Sequence, residues 1–156
     1  MPTTRAYTIE EVEMPATEGV GIRETVRMED LPQFFGGAFG EIAQYIQEAG
    51  AEYTGPPFAR YPSMPEGGSI DVEAVFPVSR TLEGKGRVRP VHLEATRAIQ
   101  TTHTGPYSGL SDAYEALEAW VGEHHRAASD APREVYLTGP EVPEEQHQTL
   151  VVQPIR

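Results

Sequence analysis

The chain has 156 residues, 24 acidic against 12 basic side chains, no cysteine, and 38% hydrophobic residues in regular patterns, which fits one folded domain or two small packed repeats. A net charge of -12 argues against a broad nucleic-acid surface, because neutralising phosphates needs clustered Lys and Arg. The lack of cysteine rules out disulfides, thiol catalysis and thiolate metal sites.

Met1 to Glu13 carries Arg5 and three glutamates where a signal peptide would need an apolar segment, and no 18-residue apolar run occurs, so a cytoplasmic protein without a membrane span is expected. Tyr7 to Met14 and Gly19 to Met28 alternate as strands, and their short Pro15-containing connection implies a hairpin. Leu31, Phe34, Phe35, Ala38, Ile42, Tyr45, Ile46 and Ala49 recur at helical steps. Asp30 is the expected N-cap, Pro32 lies in the first turn and Gly50 is the expected C′ stop. Pro57 to Pro62 is a short strand, and Ile70 to Val78 alternates with Asp71 and Glu73 as a strand with one wet face.

After Gly84-Lys85-Gly86 the same order returns: strands at Val88 to Glu94 and Ala95 to Thr104, a helix at Leu110 to Arg126 capped by Ser108 or Ser111, and strands at Arg133 to Thr138 and Gln148 to Ile155. The second helix carries its stripe on Leu110, Ala113, Tyr114, Leu117, Trp120, Val121 and His124.

A shift of 75 residues lays Ala38 on Ala113, Phe39 on Tyr114, Ile42 on Leu117, Tyr45 on Trp120, Tyr61 on Tyr136 and Pro65-Glu66 on Pro140-Glu141. A shift of 77 lays Val75-Phe76-Pro77-Val78 on Val152-Gln153-Pro154-Ile155. The pattern is a duplicated ββαββ unit of class α+β, repeat one at about 6–80 and repeat two at about 86–156 of a single domain. One unit is too small to bury its own sheet, so the expected product is a pseudo-two-fold antiparallel sheet of about eight strands with two helices on one face and a groove between the helices.

Identical repeats would offer the same chemistry twice, so positions where they differ carry the information. Glu134 lies on Ala59, two residues before the matched Tyr136 and on the same strand face. Two orientations fit: Glu134 and Tyr136 turned into the groove, or Val135 and Leu137 in the core with Glu134 wet. Tyr107, Tyr61, Tyr45 and Trp120 are further wall candidates, although an aromatic at helical or strand spacing also describes plain core. Tyr107 follows Gly105-Pro106 in a strand-to-helix turn, where side chains project over clefts.

Thr104-Gly105-Pro106-Tyr107, the Leu110, Leu117, Trp120 helix, Arg133-Glu134-Val135-Tyr136-Leu137 and the terminal strand together resemble the GyrI-like small-molecule-binding domain. This effector-binding module is also found fused to helix-turn-helix activators and multidrug-responsive regulators. The resemblance implies a glutamate on the penultimate strand, here Glu134, at the bottom of an aromatic cleft that pairs with flat cationic ligands, with Tyr136 and Trp120 beside it. Broad specificity follows, because aromatic faces accept planar cations without demanding one shape.

The chain has no room for a helix-turn-helix module besides the repeats, so the expectation is a stand-alone binding protein for amphiphilic or cationic aromatic ligands. Two alternatives accompany the resemblance. One is hydrolysis of strained, cyclopropane-type electrophiles, with Glu134 as the acid or base and Tyr136 or Tyr107 assisting. The other is partnership with a protein, since the family's namesake inhibits DNA gyrase. No cofactor is implied. Nor is a metal, because His92, His103, His124, His125 and His147 are scattered without ligand spacing.

Overall fold

The computed structural model describes residues 7–63, 66–139 and 141–156. The correspondence of Pro65 with Pro140, and residue 6 at the start of repeat one, lie outside the described residues. The protein is α+β. Its elements are β1 (Glu10–Met14), β2 (Thr17–Arg27), α1 (Leu31–Ala49), β3 (Phe58–Arg60), β4 (Ser69–Pro77), β5 (Arg89–Leu93), β6 (Thr96–Thr104), α2 (Leu110–Glu123), β7 (Arg133–Tyr136) and β8 (Gln148–Ile155). The order ββαββ thus occurs twice, in eight antiparallel strands and two helices.

The chain divides into two compact units, one of Met1–Met14 with Thr96–Arg156 and one of Pro15–Ala95. In the first the strands run β1-β6-β8-β7, and in the second β5-β2-β4-β3. The expected β1–β2 hairpin does not form. β1 pairs with β6, Glu10 opposite Gln100 through Met14 opposite Thr96, while β2 pairs with β4 and β5. The connection explains this: two-residue hairpin loops need a positive φ at their first central residue, which Pro15 cannot adopt. Each repeat therefore hands its first strand to the other unit. Arg97 holds β1 in place through Glu11 and Glu13, both at 3.0 Å.

In the second unit α1 buries Phe34, Ala38, Ile42 and Ile46 against a sheet face that includes Val20, Ile22, Val72 and Ala74. Gly50 ends it in the left-handed region at φ 67, as expected of a C′ glycine. The start differs from expectation. Asp30 occupies the cap position without a side-chain capping bond, and a 3₁₀ turn at Met28–Asp30 leads into Pro32 instead. In the first unit Ile99, Leu110, Ala113, Leu117, Val151 and Ile155 form the core under α2. Neither Ser108 nor Ser111 caps α2. Gly109 holds the cap position after a 3₁₀ turn at Tyr107–Gly109. The helix stops at Glu123 and not Arg126, because the His124 Nδ1–H bonds back to the Trp120 carbonyl at 2.8 Å and His125, the counterpart of Gly50, takes φ 54.

On β5, His92 presents one ring nitrogen to Glu18 and the other to Glu94. The Glu18 hydrogen bond, followed by its charge, raises the imidazole above 6.5. A raised folded-state pKa contributes stability that is complete below the unfolded value and lost as pH rises through the folded one. The melting temperature of the protein should therefore exceed that of His92→Gln by more at pH about 6 than at pH about 9.

Candidate ligand-binding site

Strand register makes the two repeats comparable residue by residue. Ala59 lies opposite Ala74 as Glu134 lies opposite Val151, and Phe58 opposite Val75 as Arg133 opposite Val152. Continuing the 77-residue shift down the strand sets Val72 against Thr149 and Ile70 against His147. In the Pro15–Ala95 unit these places are hydrocarbon: Ala59, Ile70 and Val72 are buried, and Phe39 packs edge-on against Phe76 with ring centroids 5.4 Å apart. In the other unit the same places hold Glu134, His147, Thr149 and Tyr114. Repeat two has replaced apolar groups by polar ones at one end of its core.

Glu134 sits near the middle of β7, opposite Val151, on the face covered by α2, and only 8% of it is exposed. Its carboxylate accepts the Tyr114 hydroxyl at 2.5 Å and the Tyr136 hydroxyl at 3.0 Å. Strand alternation supplies Tyr136, and the second turn of α2 supplies Tyr114. Of the two orientations open in the sequence, the wet one is not adopted: Leu137 is 45% exposed while Glu134 is buried. Burying a carboxylate costs several kcal/mol, and hydrogen bonds to a charged group return about 1.5–3 kcal/mol each. Both of these donors are phenol hydroxyls, which hydrogen-bond the carboxylate without bringing a charge of their own.

Tyr107 completes the aromatic surround. It stacks on His147 at 5.2 Å and meets Tyr136 edge-on at 5.9 Å, with about half its own surface exposed. Its hydroxyl titrates above its usual value, through burial first and the Glu134 charge second. The turn that carries it is fixed from below by His103, which is fully buried. Since a carbonyl only accepts, His103 Nε2 donates to the Pro106 oxygen at 3.0 Å, and Nδ1 then accepts the Tyr7 hydroxyl at 2.9 Å. Gly105, at φ 128, donates its N–H to the His147 carbonyl and brings the turn over the start of β8.

Glu134, Tyr136 and Tyr107 are thus brought together, and Tyr114, His103 and His147 join them although sequence reasoning did not select them. For Tyr114 the signal was its difference from Phe39. Trp120 lies six residues further along α2, about 9 Å, where it packs on the core and stacks on His124 at 3.9 Å. Tyr45 and Tyr61 belong to the other unit, where the Tyr45 hydroxyl accepts the Gly84 N–H at 2.9 Å and Tyr61 is half-buried. A surface depression of about 510 Å³ on α1, edged by Gly40, Gln44, Gln47 and Tyr53, contains no acid or histidine. Among the described residues no three His, Asp or Glu side chains gather as metal ligands, and no helix is long and apolar enough to cross a membrane.

Tyr114→Phe restores the ring found in repeat one and removes only the donor. It should fit sterically and lower unfolding stability by about 1–3 kcal/mol in urea titrations, the cost of leaving a buried acceptor short of a partner.

Residues 7–156 match the family model of the GyrI-like small molecule binding domain. The crystal structure of the EcmrR C-terminal domain superposes with TM-score 0.86 at 22% identity over 97% of this chain and 99% of that one. In the cryo-EM structure of the EcmrR-DNA complex the values are 0.85 and 24%, over 96% of this chain and 57% of that one, so the chain spans little more than half of EcmrR. A hydrolase from Listeria innocua is similar with TM-score 0.68 at 13% identity, covering 95% of this chain and 91% of that one. SAV2435 bound to tetraphenylphosphonium is similar with TM-score 0.60 at 14% identity, covering 97% and 94%. Likeness at these identities is one of fold. No curated protein matches the chain in sequence.

Proposed function

Because the chain belongs to the GyrI-like small-molecule-binding domain family, we propose that it binds lipophilic aromatic cations at the Glu134 carboxylate, with Tyr107, Tyr114 and Tyr136 as the aromatic lining. The observation that carries this reading is the buried carboxylate of Glu134, solvated by two phenol hydroxyls with a third tyrosine beside them. A lipophilic cation carried out of water recovers part of its lost solvation by pairing with a carboxylate that is also out of water. Tyrosine faces add about 0.5–2 kcal/mol of cation–π attraction each and favour flat rings over compact ammonium groups. That a protein of the same fold is bound to tetraphenylphosphonium supports the ligand class. The Tyr45 hydroxyl is engaged with Gly84 and the Trp120 ring with His124, so the proposal rests on the three tyrosines. The test is calorimetric titration with methyltriphenylphosphonium and with neutral triphenylphosphine oxide. Tighter binding of the cation is expected; equal binding of the two removes the role of the carboxylate.

A second reading draws on the same acid and on the similarity to a Listeria innocua hydrolase. Glu134 would accept a proton from water as that water attacks a strained cyclopropane carbon. The carbon–carbon bond breaks, and the proton passes to the leaving carbon, with a tyrosine hydroxyl stabilising the developing negative charge. Water-added, ring-opened product seen by mass spectrometry, and absent with Glu134→Ala, is the result this reading requires.

A further inference from the structure

His147, the extended residue just before β8, and Thr149, the second residue of that strand, lie two residues apart on the face that carries Glu134. His147 is 8% exposed and Thr149 is fully buried, yet neither ring nitrogen of the histidine nor the threonine hydroxyl has a hydrogen-bond partner among the described residues. A neutral imidazole has one donor and one acceptor, and a hydroxyl has both. Two adjacent buried side chains therefore keep complete hydrogen-bonding capacity unused. The fold does not require this. At the equivalent places repeat one has Ile70 and Val72, both buried, in the same strand position and the same kind of core.

The two groups adjoin the acid. Thr149 lies opposite Tyr136, whose hydroxyl reaches Glu134, and the Tyr107 ring touches both His147 and Tyr136. Counting along β8 from Val151, opposite Glu134, puts Thr149 about 7 Å and His147 about 13 Å down the strand. The nearer distance is about the reach of a para-substituted phenyl ring from a central cation, and His147 lies one strand step beyond it. Tyr107, half-exposed and stacked on His147, covers the histidine from outside.

We propose that His147 and Thr149 form a second polar contact of the ligand site, which takes an uncharged hydrogen-bonding group, a hydroxyl, carbonyl or amide, carried on one ring of an aromatic cation. This rests on the reading that Glu134 receives the cation. An anionic group is disfavoured there by the same carboxylate. The preferred ligand is therefore a cation with a polar arm and not a pure hydrocarbon cation.

The test compares tetraphenylphosphonium with 4-(hydroxymethyl)phenyl-triphenylphosphonium, by calorimetry, on the unmodified protein, on Thr149→Val and on His147→Ile/Thr149→Val, which restores the residues of repeat one. The hydroxymethyl ligand should bind the unmodified protein about tenfold tighter. The double variant should lose that preference and melt no lower than the parent. Thr149→Val alone should lose part of the preference, and it decides the matter if the double variant does not fold. No preference in the unmodified protein, a preference that survives both variants, or a lower melting temperature with unchanged preference overturns the subsite while leaving the cation reading intact. If neither cation binds, the cation reading fails and the subsite with it.

Discussion

Glu134→Gln is expected to weaken binding of methyltriphenylphosphonium by about 10- to 100-fold and to change binding of triphenylphosphine oxide by less than about threefold. A unit charge pair about 4 Å apart is worth about 4 kcal/mol at an effective dielectric constant of about 20, and desolvating the cation consumes part of that. A residue of about 1.4–2.8 kcal/mol is the stated range of affinities. Glutamine keeps the size and an acceptor oxygen for Tyr114 or Tyr136, so the variant removes charge more than shape. Equal losses for the charged and the neutral ligand would show that packing, not charge, is what Glu134 contributes. The buried environment also makes the difference resistant to salt, in contrast to an exposed pair such as Arg27 with Glu29. Repeating the titration at high ionic strength tests that point.

The second effect, on stability, is expected at His103. Replacing it by Leu keeps the volume and apolar contact of the ring but removes the bond to the Pro106 carbonyl, which keeps the Gly109 N–H at 3.0 Å, and leaves the Tyr7 hydroxyl without its acceptor. A lost hydrogen bond costs about 0.5–1.5 kcal/mol, and Tyr7 is half-buried and recovers part of its loss to water, so a total of about 1–3 kcal/mol is expected in urea unfolding. Tyr7→Phe, which leaves the His103–Pro106 bond in place, should cost about 1 kcal/mol. The two variants also separate position from stability. His103→Leu loosens the turn that presents Tyr107 and should weaken binding of the aromatic cation under conditions where the protein remains folded, whereas Tyr7→Phe should leave that affinity nearly unchanged. If His103→Leu unfolds no more easily than Tyr7→Phe, the bond to Pro106 does not hold the turn.

Periodicity and punctuation made the element order legible. The terminal strand from Gln148 to Ile155 follows its expected bounds, and the 75-residue shift that aligns Ala38 with Ala113 also aligns Phe58 with Arg133 at the starts of β3 and β7. Pairing was not legible, because alternation reports which face a strand buries and not which neighbour it bonds; β1 alternates equally well beside β2 or β6. Helix starts were misread for a related reason. Asp30, Ser108 and Ser111 are good cap residues, but each helix is entered through a 3₁₀ turn that leaves their side chains out of reach. The asymmetry at Glu134 and Ala59 can be read directly from the repeats. Tyr114 is harder, since a tyrosine on an apolar stripe looks like core until its hydroxyl is seen to reach across to β7. His147 and Thr149 emerge only when strand register carries the 77-residue shift back past Val75.

The transfer of β1 from its own repeat to the unit that contains β6 has a consequence for synthesis and refolding. As the nascent chain leaves the ribosome, Tyr7 must wait for His103, 96 residues later, before its hydroxyl finds its acceptor. Loop closure over such a distance slows folding more than it lowers stability.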